Sequence, residues 1–364
     1  PLPFFGNIKD LFFQRTSEAL HYSWIYKKLD GHRFGGIYLL TEPVLLVRDP
    51  QLARRILDAD EDYFSHKGIL EKDEGFNTYC VLDTDARKRI YYAAVKLRRT
   101  NNIVKEDFLQ VLIDLENFKN RHDHELNRRN HDAIILTTNQ EESDTWPQKE
   151  LLALQNRFII LQYFLFWNAG TEMVCGILNV CLYELAMNPH VQDRLREDVN
   201  SSLRQHGGEL TYDAVKSMSY MDQVIYETLR KYHPDVMLNR VCSKSYTIPG
   251  TEVRIERGTQ VIIPVYALNH DPQYFPDPER FYPERFDPEN KSSTRLLDFL
   301  PFGTGSRKCI GMDYAMIQMK VGLAPLISKF KFGLYGEATT PIELDSGTVN
   351  LRAKKLQMFT VQYI

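Results

Sequence analysis

"PFGTGSRKCIGM", residues 301–312, sets three glycines, an arginine and a cysteine in a short turn that runs directly into an apolar helical pattern. A cysteine thiol has a reference pKa near 8.5, and a helix start with donors and a cation nearby favours the thiolate. Arg307 and Lys308 immediately precede Cys309, and the helical run begins near Gly311. Gly303, Gly305 and Gly311 let backbone approach a flat partner closely, where a Cβ would collide. A phosphate loop needs G-x-x-x-x-G-K-[ST], which Gly305 to Cys309 does not spell. A buried structural cysteine is the ordinary alternative for any single Cys.

The rest of the chain limits the readings of this turn. With 364 residues, 43% hydrophobic and 26% charged, it has the composition of a globular protein with a sizeable core. A net charge of -3 gives no general electrostatic reason to bind nucleic acid, so none is expected as a partner. The five cysteines, Cys80, Cys175, Cys181, Cys242 and Cys309, are an odd number, scattered and without a C-x-x-C pair. That argues against a disulfide framework or structural zinc and for a reducing compartment. The chain opens at Pro1 with no signal peptide or apolar anchor of about 20 residues, and reads as the soluble part of something longer, or as a fragment.

No internal repeat is visible. "FGGIYLLTEPVLLVRDP" (34–50) gives two β-rich runs around a Thr41-Glu42-Pro43 turn, then Asp49-Pro50 opening a helix through Leu57. Helical pattern runs from about Ile90 to Leu115 with an Asn101-Asn102 break, and residues 116–149, mostly polar and charged, resemble a flexible, exposed connection. A long helix, about Leu151 to Met187, is apolar nearly all round; Gln162, Asn168, Glu172 and Asn179 interrupt it, so it reads as a buried core helix rather than a membrane span.

Within that helix Gly170, beside Ala169 and Glu172, costs roughly 1 kcal/mol relative to alanine. It either makes room for a ligand against the backbone or permits close helix packing. In "MDQVIYETLRKYHP" (221–234), Glu227 and Arg230 lie three apart on one face, a pair that means little alone. Short β-rich runs follow, with turns at Pro249-Gly250 and Gly258, then the proline-studded "NHDPQYFPDPERFYPERFDPEN" (269–290).

Phe302, Gly305, Arg307, Cys309 and Gly311 spell F-x-x-G-x-R-x-C-x-G, and here the sequence resembles the cytochrome P450 family of haem-thiolate monooxygenases. The resemblance implies heme b with Cys309 as proximal iron ligand, cradled by Phe302, Gly303, Gly305, Arg307 and Gly311. Glu227 and Arg230 match the family's E-x-x-R helix, and Arg285 in "FYPERF" the arginine that joins them in a buried structural charge cluster. "LNRVCSKSYTIPGT" (238–251) resembles the stretch that supplies a propionate-binding arginine, here Arg240; Arg307 would serve the same purpose. Ala169, Gly170 and Glu172 match the distal A-G-x-[DE]-T-[ST] pattern and are the expected catalytic positions. "LDFLPFGTGSRKCIGM" and "IERGTQVIIPV" look closest to insect microsomal detoxification members.

The resemblance covers Pro1 to about Cys80 and about Ile90 to the end, and two departures mark it. The distal threonine that helps deliver protons is Met173, followed by Val174, and Thr171 points elsewhere because two helical residues turn a side chain by roughly 200°. The family's W-x-x-x-R helix has no counterpart: Trp24, Trp146 and Trp167 are followed four residues on by Lys28, Glu150 and Thr171. A block of helices between about Cys80 and Arg89 is expected to be missing, which leaves one haem edge open to water. Pro325, inside the helix after Cys309, is expected to kink it at a cost of roughly 3 kcal/mol.

The implied fold is the cytochrome P450 fold, mainly α with a small β region. It is one haem domain over 1–364: a β-rich part to about residue 80, the connection at 116–149 and a helical core over 150–364. The implied partners are an NADPH-cytochrome P450 reductase and an apolar small-molecule substrate. Members of the microsomal group sit on the cytoplasmic face of the endoplasmic reticulum membrane through an N-terminal helix. A working monooxygenase, a haem-binding relative with little activity, and a truncated product without cofactor are the three alternatives.

Overall fold

A computed structural model describes residues 2, 4–64, 84–114, 117, 160, 162–289, 299–336, 342 and 358–364. Two compact units are present: Pro1–Lys72 with Glu172–Ile364, and Asp73–Thr171. Apart from Asn117, the polar stretch 116–149 lies outside the described residues, as does the junction from Cys80 to Asp83. The fold is mainly α with a small β region.

In the larger unit a four-stranded sheet gathers distant segments. Strands β1 (Phe34–Leu39) and β2 (Glu42–Val47) form an antiparallel hairpin in which Tyr38 faces Pro43. The turn is Leu40-Thr41, with Leu40 at φ 55°, so Glu42 and Pro43 begin the second strand instead of making the turn. Proline is tolerated there because pairing with the next strand starts only at Val44. Strand β3 (Leu238–Val241) lies antiparallel to Gln260–Ile263, which runs parallel to β2, and Arg240 pairs opposite Val261.

Asp49 caps the helix Pro50–Arg54, its carboxylate accepting the Leu52 N–H at 2.7 Å. The helix continues as a π-turn, Arg55–Ala59, and then a 3-10 turn, Glu61–Tyr63. Leu52, Ile56, Leu57 and Phe64 sink into one core with Val261, Ile263 and Leu300. Asp58 stays exposed and Glu61 half-buried, so the polar side of this turn is available to other parts of the unit.

A second core joins the helices Val174–Met187, Pro189–Gln205, Ser219–Lys231 and Met312–Lys329 around Leu185, Leu195, Met221, Val224 and Leu323. Buried Lys320 ties this bundle: its Nζ donates to the carbonyls of Val215 and Met218 and pairs with Asp222 at 2.7 Å. Helical hydrogen bonding continues past Pro325 to Lys329. Pro325 faces solvent, and Arg196 holds the last turn by donating to the carbonyls of Ile327 at 3.0 Å and Phe330 at 3.2 Å.

The long apolar helix is less buried than its composition suggests. Gln162–Met187 spans 26 residues and is long and apolar enough to cross a membrane, yet only 22% of its most apolar window is buried. Within Val174–Met187, Ile177, Cys181 and Leu185 join the helical core. Upstream, Leu165, Phe166 and Trp167 are each at least 40% exposed. The expectation of a core helix therefore holds for the later turns only, where Val180 and Tyr183 are also buried, beside Tyr232 and Ile342.

Candidate functional site

The stretch around Cys309 folds as a closed loop. Gly303 N–H donates to the Leu300 carbonyl at 3.2 Å, a 3-10 turn spans Gly305–Arg307, and Lys308 N–H donates back to Gly305 at 3.1 Å. The Cys309 N–H then reaches the Phe302 carbonyl at 2.8 Å, which closes the loop at its neck. Gly311 caps the helix Met312–Lys329, and its carbonyl takes the Ala315 N–H at 2.8 Å. The Cys309 thiol is free and exposed. Cys181 is fully enclosed, with its thiol pushed up to about 12 chiefly by burial, and buried Cys242 donates to the Lys244 carbonyl. Both sit in apolar surroundings that leave them inert.

The loop's glycines have different reasons. Gly303 and Gly305 adopt φ 69° and 71°, the left-handed region that a side chain disfavours. A Cβ on Gly305 would lie 2.2 Å from the Leu57 carbonyl oxygen and 2.6 Å from Glu61 Oε2. The collision at Gly305 is thus with the protein's own π-turn, not with a flat partner. A Cβ on Gly311 would meet nothing within 4 Å, so that flank is open.

Beside the loop stands a concentration of positive charge. Arg240 is only 5% exposed, and its guanidinium pKa is lowered, first by burial and then by Arg307, with Glu61 opposing. Arg240 Nη1 donates to the Asn239 carbonyl at 2.8 Å. Arg307 and burial both disfavour the charged form of Arg240, and a planar guanidinium fork is suited to binding anionic oxygens in pairs.

Glu227 and Arg230 are fully buried and paired twice, at 2.7 and 2.9 Å. Arg230 also donates to the carbonyls of Asn269 at 2.8 Å and Pro278 at 2.7 Å, and Glu227 accepts the Tyr282 N–H at 2.9 Å. Arg285 Nε joins Glu227 at 3.3 Å. The network ties the helix Ser219–Lys231 to the proline-rich stretch, and it satisfies the charges that burial would otherwise penalise.

Ala169 and Gly170 occupy a π-turn, Ala169–Met173, that interrupts the long helix. Ala169 and Glu172 are exposed, and a Cβ on Gly170 would meet nothing within 4 Å. A π-turn carries one residue more than α spacing, so side-chain directions before and after it do not follow a 3.6-residue count. Nothing in residue types announces such a turn.

A family model described as Cytochrome P450 matches residues 93–359. The chain belongs to the cytochrome P450 family. It is 35% identical to Probable cytochrome P450 6d5 of Drosophila melanogaster over 284 residues, which is 75% of this chain and 52% of that protein. Cytochrome P450 6k1 of Blattella germanica matches at 35% identity over 72% of this chain and 48% of its own length. Cytochrome P450 6a2 of Drosophila melanogaster matches at 37% over 70% and 46%. The chain spans about half the length of the curated relatives it matches.

The P450 family implies a haem cofactor, and the residues of this P450 suit one. An exposed thiol at a helix start, an open glycine flank at Gly311 and the Arg240–Arg307 pair answer to an iron, a flat ring and carboxylates respectively. Sequence reasoning missed Asp58, in the π-turn, and Glu61, in the 3-10 turn after it, which both touch the loop: Thr304 Oγ1 donates to Asp58 at 3.3 Å and Ser306 N–H to Glu61 at 2.6 Å. The acidic run "DADED" (58–62) was the available signal.

Proposed function

We propose that this chain is a haem-thiolate monooxygenase that inserts one oxygen atom from O2 into apolar small molecules, with electrons from an NADPH-dependent reductase at the endoplasmic reticulum membrane. The observation that carries the reading is the closed Phe302–Cys309 loop presenting a free, exposed thiol at the start of the helix Met312–Lys329. Haem with a cysteinate ligand supplies electron density that favours O–O cleavage.

The chain's own residues have separate tasks. Cys309 would ligate the iron, and Arg240 and Arg307 would hold the ring's carboxylates. Met173 has no exchangeable proton, so proton movement falls to Glu172 and water. Glu227, Arg230 and Arg285 keep the floor of the site fixed.

A second reading, a haem-binding relative with little activity, draws on one observation. Ala169, Thr171 and Glu172 of the turn Ala169–Met173 are exposed, as is Trp167 before it, and a site open to water excludes it poorly. One experiment separates the two. The reduced, carbon monoxide-treated protein should show the strongly red-shifted Soret band of cysteinate ligation, and Cys309→Ser should abolish it. The band with substrate oxidation supports the monooxygenase, the band without product leaves the second reading, and no bound haem overturns both.

A further inference from the structure

The loop bearing Cys309 meets a surface that lies outside the P450 motif altogether. Leu57, Asp58 and Glu61 sit more than 240 residues away in sequence and press on Thr304, Gly305 and Ser306. The fit is so close that Gly305 has no room for a single carbon, since its Cβ would stand 2.2 Å from the Leu57 oxygen. Ser306 is the middle residue of the turn Gly305–Arg307, and its N–H is aimed at Glu61 Oε2 at 2.6 Å. The acceptor is a carboxylate, so the bond is charge-assisted, and it lies at the surface where water competes for it.

We infer that Glu61, assisted by Asp58, is the positioning residue of the cysteine loop: its carboxylate holds the Ser306 N–H and so fixes the turn from which Cys309 emerges. Fixing the middle of the turn sets the Lys308-to-Gly305 and Cys309-to-Phe302 hydrogen bonds that follow it. The carboxyl is held below its ordinary pKa, first by Ser306 and also by Arg240. Glu61 therefore also places negative charge beside Arg240, whose other charged neighbour is Arg307. The clamp consists of protein alone and acts before any cofactor arrives; only the spectroscopic arm below rests on the proposed function.

The test compares wild type, Glu61→Ala and Glu61→Gln as full chains grown without haem. Trypsin cleavage after Arg307 and Lys308, both exposed, is timed by mass spectrometry alongside the thermal midpoint. In Glu61→Ala the loop should be cut faster by about tenfold or more, the factor that loss of a charge-assisted hydrogen bond gives, with the midpoint nearly unchanged. Glu61→Gln keeps an acceptor oxygen and should recover most of the protection. Equal cleavage in all three proteins, or faster cleavage explained by a lower midpoint, overturns the inference.

Should Glu61→Ala not fold, amide exchange at Ser306 in wild type decides: slow exchange supports the clamp, and exchange at the rate of an unstructured peptide refutes it. With haem supplied, the red-shifted fraction of the carbon monoxide complex should fall in Glu61→Ala and return in Glu61→Gln. If wild type binds no haem, the monooxygenase proposal fails while the protease and exchange results still judge the clamp.

Discussion

The loop that carries Cys309 and the turn that carries Gly170 are built to different standards. The first is fixed from several directions: a backbone neck at Phe302, an acidic turn at Asp58 and Glu61, and a glycine that no larger residue could replace. The second is a π-turn whose glycine has nothing within 4 Å of a built Cβ. A ligand-holding loop must reproduce one geometry, so contacts over-determine it. Under the proposed function this turn would admit small molecules and have to yield, and the open space at Gly170 suits that.

The strongest way to break this contrast is to attack the rigid side at its base. Glu227→Ala strands Arg230 as an unpaired charge in a site with no exposure, a loss that typically costs 3 to 5 kcal/mol. Against a total stability of roughly 5 to 15 kcal/mol, that is a large share of what holds the larger unit, and its urea midpoint should fall steeply. Urea unfolding followed by circular dichroism measures it. Arg285→Ala should cost less, because Glu227 keeps its bonds to Arg230 and to the Tyr282 N–H. A Glu227→Ala protein as stable as wild type would mean that the buried network is not what holds this side.

Arg240→Met sharpens the comparison by giving opposite signs in two states. The folded, cofactor-free chain carries an arginine whose charged form is disfavoured by burial and by Arg307, so an apolar side chain of similar length should leave stability unchanged or raise it. The same change removes a charged donor for the ring's carboxylates and should weaken haem binding about 10- to 100-fold, the effect of one to two charged hydrogen bonds. Titration of the Soret band and thermal melting of the haem-free chain check the two halves. Loss of stability without loss of affinity would make Arg240 a structural residue.

The two regions also differed in how far the sequence revealed them. The burial of the Glu227–Arg230 pair followed from the family resemblance, because the spacing alone meant little, and the same resemblance singled out Cys309 and Arg307. The two strands of the hairpin followed from their β-rich residue types, though not the position of the turn, and the helix start at Asp49 from proline after aspartate. The exposure of Leu165 to Trp167 was not readable, because an apolar helix looks the same whether neighbours cover one face or all of it. Nor were the π-turns at Arg55–Ala59 and Ala169–Met173, which are choices of backbone register that no residue type enforces. The reason for Gly305 was hidden as well, since its steric partner at Leu57 is distant in sequence and only the fold brings them together.

The smallest expected effect belongs to the open side. Met173 stands where the family pattern has a hydroxyl, and a thioether can neither donate nor relay a proton. Met173→Thr should leave the fold and the Soret band unchanged, because the residue is only half-buried and the turn around it is loosely packed. It should raise the product formed per NADPH consumed several-fold, since a positioned donor speeds the productive branch without touching electron delivery. The π-turn makes this test demanding: it alters which way residue 173 points relative to an unbroken α-helix. If threonine brings no gain while Glu172→Gln lowers the yield further, the proton route runs through Glu172 and water. The turn's register, rather than the missing hydroxyl, would then set the efficiency of this P450.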